Sequence, residues 1–262
     1  MTTLTATSYG ERRRRAAELT AEWPFAAQVL ALYQALLPVQ EQAFTDTLEA
    51  GVEDLGAVPG FCAGRVMPGV LGATVTAGPE PLVTAAQALL YGGDLGAPVA
   101  AWLAGEELDG FKAYFGRAAG QPVLEALAER GALTGLGDGL RRCPACGGLP
   151  QLAYHGLSDD ALLTAPRRLI CSRCSTAWAY PRMVCAGCGE DDTGRLHIFS
   201  ESERFPHLRV DACDSCKRYM VTVELVKQPR AVPIVDELAA LPLDMYARER
   251  GFNKISANLV GF

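Results

Sequence analysis

The stretch Cys143-Pro-Ala-Cys-Gly147 contains a CxxC knuckle, in which a tight turn presents two thiols together. This pattern decides the fold of the C-terminal part, because eight of the nine cysteines in the 262-residue chain lie in such knuckles. The four knuckles are Cys143/Cys146, Cys171/Cys174, Cys185/Cys188 and Cys213/Cys216. The step from position 143 to position 185 equals the step from position 171 to position 213, which indicates an internal duplication. This step is called the repeat offset.

Each repeat has the donor set of a complete metal site. Two thiolates on one turn can bind the same metal ion, and two such turns supply the four sulfurs of a tetrahedral site. We therefore expect two metal ions, iron or zinc, because four sulfurs suit both metals. The predicted ligands of the first ion are Cys143, Cys146, Cys171 and Cys174, and those of the second are Cys185, Cys188, Cys213 and Cys216.

Two alternatives concern the same cysteines. In an interleaved pairing the first knuckle would join the third and the second would join the fourth, but neither ancestral repeat could then have folded alone. Redox-active dithiols of the thioredoxin type are the other alternative, although these usually occur singly at the start of a helix in a βαβ pattern.

Other residues of the repeats have structural interpretations. Gly147 and Gly189 follow equivalent knuckles, and we expect a positive φ at this position because the backbone turns there. His155 and His197 are also equivalent, but four thiolates already complete each site. We therefore expect these histidines, and His207, to be structural residues rather than ligands.

The part of the chain before Arg141 contains one cysteine, Cys62, and no histidine, so the composition changes where the knuckles begin. Apolar residues at three- and four-residue steps predict about six or seven helices in this part, with proline near the start of several. The helix-initiating prolines are predicted to be Pro24, Pro81, Pro98 and Pro122. We expect Cys62 to be a buried, unreactive thiol and the basic run 12–15 to be a solvated helix face.

Short apolar runs beside turn residues predict small antiparallel strands after Cys143. Two such runs are 168–170 and 222–226, and a last helix is predicted from Ile234 to Arg250. The resulting class is α+β, with a helical domain, two tandem rubredoxin-like or zinc-ribbon-like metal modules, and a C-terminal helix. The predicted domains are 1–140, 141–184, 185–226 and 227–262.

The composition disfavours several function classes. A formal net charge of -6 and a pI near 5.2 argue against nucleic acid as a partner, because binding to phosphates requires excess Lys and Arg. We find no run of about 20 apolar residues and no secretory signal, so we expect a cytoplasmic protein without a membrane span. The sequence shows no paired-carboxylate, Ser-His-Asp or phosphate-loop pattern, and we expect a protein that is not an enzyme.

Longer motifs surround the knuckles and continue toward the C-terminus. These are Cys143-Pro-Ala-Cys-Gly-Gly-Leu-Pro150, Leu169-Ile-Cys-Ser-Arg-Cys174, Trp178, Arg182, Cys185-Ala-Gly-Cys188, Cys213-Asp-Ser-Cys-Lys-Arg-Tyr219, Val235-Asp-Glu-Leu-Ala-Ala-Leu-Pro-Leu-Asp244, Gly251-Phe252 and Asn258. With these motifs, roughly residues 140–262 resemble the FdhE formate dehydrogenase accessory proteins.

This resemblance implies a cytoplasmic assembly factor with two rubredoxin-like modules, in which the eight knuckle cysteines are the site residues. It also implies that the partner is the molybdenum-containing catalytic subunit of a formate dehydrogenase. A rubredoxin-like iron protein for electron transfer or redox sensing is the alternative function. A zinc-ribbon protein that binds nucleic acid is a third hypothesis, which the negative net charge disfavours.

Overall fold

A computed structural model of the chain describes residues 8–52, 54–156 and 166–261. These residues fall into two units, Ser8–Thr134 with Leu259–Gly261, and Gly135–Asn258. The first unit contains helices, and the second contains strands and two short helices. The predicted α+β class is therefore confirmed, whereas the division into four domains stays a prediction.

Seven α-helices lie in the described residues of the first unit. They are α1 (Tyr9–Glu22), α2 (Ala27–Glu49), α3 (Val58–Phe61), α4 (Met67–Ala77), α5 (Glu80–Gly92), α6 (Ala97–Ala104) and α7 (Gly110–Glu129). Pro24 begins a 3-10 turn that leads into α2, as the sequence predicts. Within the described chain, no helix has both the length and the apolar composition that a membrane crossing requires.

The basic run in α1 is only partly solvated. Arg12 and Arg15 are 2% and 3% exposed. Nη2 of Arg12 lies 3.0 Å from Oε1 of Glu125 in α7, whose side chain is also buried. A buried carboxylate requires a cationic partner, and the prediction of a solvated face is therefore wrong for Arg12 and Arg15.

Pro122 lies inside α7 and does not begin a helix, so this predicted boundary is wrong. A proline in a helix has no N–H to donate to the carbonyl four residues earlier. That carbonyl, on Ala118, instead accepts a hydrogen bond of 3.1 Å from Nε2 of the buried Gln40 in α2. The side chain of a neighbouring helix thus satisfies the acceptor that the proline leaves open.

Cys62 is fully buried, as predicted, and its Sγ lies 3.4 Å from the carbonyl oxygen of Ala119. Burial raises the pKa of this thiol to about 12. Because the thiolate is the reactive form of cysteine, Cys62 is unreactive near neutral pH.

The second unit is built around one sheet. Its strands in the described residues are β1 (Pro150–His155), β2 (Arg167–Cys171), β3 (Ala177–Ala179), β4 (Leu196–Ser200), β5 (Leu208–Cys213), β6 (Arg218–Glu224) and β7 (Asn253–Lys254). Each repeat forms three antiparallel strands, and β1 pairs with β6 in parallel to join the repeats in the order β3-β2-β1-β6-β5-β4. The strand predicted at 222–226 extends too far, because the chain turns at Glu224, whose carbonyl accepts from Lys227 N at 3.0 Å.

Two short helices, α8 (Pro233–Leu238) and α9 (Leu241–Glu249), replace the single predicted C-terminal helix. Pro242 lies in the first turn of α9, where a missing N–H has no cost, and the break falls at residues 239–240. Helix α9 ends at Glu249, one residue before the predicted Arg250. Gly251 follows with a φ of +83°, a left-handed conformation that favours glycine.

A buried charged network fixes these helices to the sheet. Lys254 Nζ contacts the carboxylates of Glu237 in α8 and Asp244 in α9, and all three side chains are at most 2% exposed. Tyr219 Oη donates to Asp244 at 2.9 Å, and Gln151 Nε2 donates to Glu237 at 2.8 Å. Strand β1 is thereby bonded to α8, strand β6 to α9, and strand β7 to both helices.

Candidate metal centres

The strands place the knuckles at equivalent points of the two repeats. In each repeat the first knuckle precedes the first strand. The second knuckle begins at the last residue of the second strand and continues into the turn before the third strand. The cluster of Cys143, Cys146, Cys171 and Cys174 is called centre 1. The cluster of Cys185, Cys188, Cys213 and Cys216 is called centre 2.

A left-handed residue follows the second cysteine of every knuckle. Gly147 and Gly189 have φ values of +70° and +87°, which confirms the prediction for these two positions. Ser175 and Lys217 follow the other two knuckles with φ values of +54° and +52°. They are the two non-glycine residues with positive φ in the described chain, so no glycine signals this shared geometry at the second knuckle of each repeat.

Equivalent backbone hydrogen bonds close the first knuckle of each repeat. In centre 1, Cys143 N donates to Gly148 O at 2.9 Å, and in centre 2, Cys185 N donates to Glu190 O at 2.8 Å. Amide groups also point at sulfur, since Arg173 N lies 3.3 Å from Cys171 Sγ. Gly187 N lies at the same distance from Cys185 Sγ. Such donors stabilise thiolate ligands.

The spacing of the sulfur atoms fits tetrahedral coordination. Two sulfur pairs that join the knuckles of centre 1 are 3.4 and 3.6 Å apart, and the equivalent pairs of centre 2 are both 3.8 Å apart. Metal–sulfur bonds of about 2.3 Å in a tetrahedron place the sulfurs about 3.8 Å apart, whereas disulfide sulfurs are about 2.05 Å apart. Each cluster could therefore hold one metal ion, and the grouping is within the repeats rather than interleaved.

The environment of the thiols favours a bound cation. The four sulfur atoms of each centre lie within 4.8 Å of one another. Because like charges at this distance repel, the four thiols do not all ionise unless a positive charge offsets theirs, as a divalent ion does when it displaces the protons. The residues present thus fit a metal ion by spacing and by donor chemistry.

The histidines lie outside both clusters in the described residues. His207 Nε2 lies 2.8 Å from Oδ1 of the buried Asp236, and His197 Nε2 lies 2.6 Å from Oδ2 of Asp214 within the last knuckle. Hydrogen bonds from Lys217 and His197 lower the pKa of Asp214 to about 2. These two histidines therefore contact carboxylates rather than sulfur.

His155 has a different environment from its repeat equivalent. Its Nε2 is buried without a hydrogen-bond partner in the described residues. Burial, and then the positive charges of Arg209 and Arg182, lower the pKa of His155 to about 4. This side chain is neutral near pH 7.

An arginine pair connects the repeats. Arg167 and Arg209 are related by the repeat offset, at equivalent positions of β2 and β5, and both contact Asp211, at 3.3 and 2.9 Å. Arg167 Nη1 also donates to the carbonyl of Val184, the residue before Cys185, at 3.0 Å. The repeat offset relates these two arginines in the sequence. Arg167 on β2 also holds the chain immediately before the first knuckle of centre 2.

The fold and the two centres define a class of protein with a helical unit and a sheet unit that carries duplicated four-cysteine clusters. Comparison with known families shows which proteins of this class the chain resembles. Residues 183–260 match the model of the family described as "FdhE, C-terminal domain". The predicted resemblance to the FdhE family is thereby confirmed.

Relatives by sequence match parts of the chain. A protein named "Protein FdhE homolog" from Aquifex aeolicus is 31% identical over 142 residues, which are 54% of this chain and 49% of that protein. "Protein FdhE" from Escherichia coli O1:K1 / APEC is 29% identical over 122 residues, which are 47% of this chain and 38% of that protein. The chain thus matches about half or less of the length of these curated relatives.

A solved structure matches nearly the whole fold. The crystal structure of the FdhE protein from Pseudomonas aeruginosa has a TM-score of 0.75 and covers 99% of both chains, at 23% sequence identity. At this identity the likeness shows the fold, with helices followed by the cysteine-bearing sheet.

Proposed function

We propose that this protein is an accessory factor for the assembly of a formate dehydrogenase, and that it binds the catalytic subunit of that enzyme without a catalytic cycle of its own. The observation that carries the proposal is the pair of four-cysteine centres in one sheet. The second centre lies within residues 183–260, which match the FdhE C-terminal domain. We further propose that it acts in the cytoplasm, where thiols stay reduced and free to bind metal.

The eight cysteines are the metal ligands in this proposal, and the metal stabilises the docking scaffold. The strands are short, from two to seven residues, and the knuckles lie at their ends. Because a structural metal site forms only in the folded chain, the free energy of metal binding contributes directly to folding. Loss of a centre would therefore disrupt the surface that the sheet presents.

Co-purification tests the proposal directly. The tagged protein is expressed anaerobically with a formate dehydrogenase catalytic subunit, and the retained subunit is measured together with the metal content. We expect the wild type to retain the subunit and Cys171→Ser to lose it. Cys62→Ser is the matched control, because Cys62 is equally buried but lies outside both centres. Metal-loaded wild type that retains no subunit would contradict the docking role.

An absorption spectrum of the same purified protein distinguishes assembly from the alternative function, electron transfer. An iron protein that transfers electrons would show the absorption of a ferric tetrathiolate and lose it on reduction, whereas a zinc protein is colourless. Reversible bleaching without binding of the catalytic subunit would favour electron transfer over assembly.

A further inference from the structure

The two centres differ in how far solvent reaches their sulfur atoms. In centre 1 all four cysteines are buried, with exposures of 0%, 6%, 1% and 3% in chain order. In centre 2, Cys185 and Cys213 are buried, Cys216 is half-buried and Cys188 is exposed. Cys146 and Cys188 occupy equivalent positions of the repeats, so the difference arises from their surroundings.

The segment that precedes the first knuckle covers centre 1. Gly137 lies so close to this knuckle that a Cβ atom there would be 2.0 Å from the carbonyl oxygen of Cys143. Gly135 N donates to Pro144 O at 3.0 Å, and Trp178 Nε1 donates to Leu140 O at 2.8 Å. Residues 135–140 are therefore held directly against the knuckle of centre 1.

Centre 2 lacks an equivalent cover because of the topology. At the repeat offset, the segment that corresponds to 135–140 is 177–182, and its first three residues form β3. Strand β3 is paired with β2, with Trp178 opposite Leu169. From this segment Tyr180 Oη donates to Cys185 O at 3.0 Å. The backbone of β3 stays in the sheet of the first repeat, and Cys188 remains exposed.

A cavity of about 50 Å³ adjoins centre 2. Its lining includes two ligand residues, Cys185 and Cys213, together with Arg167, Arg209 and Asp211. A water molecule occupies about 30 Å³ in the liquid, so the cavity is large enough for one. Centre 2 thus borders a space that can hold water, and solvent also reaches it at the exposed Cys188.

We propose that centre 2 is an exchangeable metal site, which accepts and releases its ion to soft acceptors such as thiolates or nitrogen chelators, and that centre 1 is a structural site. Exchange begins when an incoming donor takes the coordination position of the Cys188 sulfur, and the released thiolate takes up a proton from water. The ion keeps its oxidation state, and the other three sulfurs are displaced in turn. This assignment does not depend on the binding of a catalytic subunit.

Metal release from the full-length protein tests the assignment. The protein is loaded with two equivalents of Zn²⁺ and mixed with excess 4-(2-pyridylazo)resorcinol, and the coloured zinc complex is followed over time. We expect two phases of one equivalent each, with rates that differ by roughly tenfold or more. Release of both ions at one rate would overturn the proposal, because exposure would then not control exchange.

Two equivalent variants assign the phases. Cys146→Ser opens centre 1 and leaves centre 2 intact, whereas Cys188→Ser does the reverse. We expect Cys146→Ser to keep the fast phase and Cys188→Ser to keep the slow phase, and the opposite result would overturn the proposal. Should either variant fail to fold, limited iodoacetamide alkylation of the wild type with mass spectrometry gives the same answer, since Cys188 must be modified before any cysteine of centre 1.

Discussion

At the residue scale, the knuckles depend on left-handed backbone conformations. Gly147 and Gly189 adopt positive φ without a steric penalty, whereas Ser175 and Lys217 adopt it despite their Cβ atoms. For a residue with a side chain this conformation costs roughly 1–2 kcal/mol. The turn geometry that brings the sulfurs together is therefore enforced by the rest of each centre.

The two glycines provide a matched pair of substitutions. At Gly189 a Cβ has its nearest neighbour at 3.9 Å, so Gly189→Ala adds backbone strain alone and should lower the free energy of unfolding by about 1–2 kcal/mol. At Gly147 a Cβ would lie 2.7 Å from Leu136 O, so Gly147→Ala should cost more. Urea denaturation of the metal-loaded proteins measures both, and equal losses would contradict the contact with Leu136.

The lowered pKa of His155 predicts that the stability of the protein depends on pH. Its pKa is about 4 in the folded protein and about 6.5 in an unfolded chain. Between these values only the unfolded state gains a proton, so the free energy of unfolding falls as the pH decreases through this window. From pH 7 to pH 5.5 the wild type should lose about 1 kcal/mol more than His155→Gln. The free energy of unfolding is measured by urea titration of the metal-loaded proteins. Equal losses in the wild type and in His155→Gln between pH 7 and pH 5.5 would show that the buried environment of His155 is misassigned.

At the element scale, polar partners decide where helices begin, end or continue. Pro122 is tolerated inside α7 because Gln40 of α2 satisfies the open carbonyl. Pro242 instead lies in the first turn of α9, and the buried Lys254 holds α8 and α9 on the sheet through Glu237 and Asp244. The family motif in this region therefore contains structural charges.

Removal of the buried cation tests this role. Lys254→Met leaves two buried carboxylates without their positive partner, and we expect the free energy of unfolding to fall by about 3–5 kcal/mol. Lys227→Met is the control, because Lys227 is 57% exposed and its partner Glu224 keeps the contact with Arg209 at 3.2 Å. The control should change stability by about 0–1 kcal/mol. Similar small effects of both substitutions, measured by urea denaturation, would argue against the network.

At the scale of the whole molecule, the sequence predicts what is periodic or local. The repeat offset predicts the two repeats and the sulfur pairing, and the apolar spacing predicts the helical unit. The parallel pairing of β1 with β6 has no local signal, because it joins strands far apart in the chain. The burial of Arg12 likewise depends on its ion pair with Glu125, which lies far away in the sequence. The position of Arg167 depends on its hydrogen bond to the carbonyl of the residue before Cys185.

We propose that each repeat holds its own metal ion. The metal content per chain of the double variant Cys143→Ser/Cys171→Ser, measured by elemental analysis after anaerobic purification, distinguishes this pairing from an interleaved one. Both substituted residues belong to centre 1 when pairing is within the repeats, so wild type should contain two ions and the variant one. A folded variant that contains no metal would show that the two cysteines serve different ions, and a metal-free wild type would contradict the account as a whole.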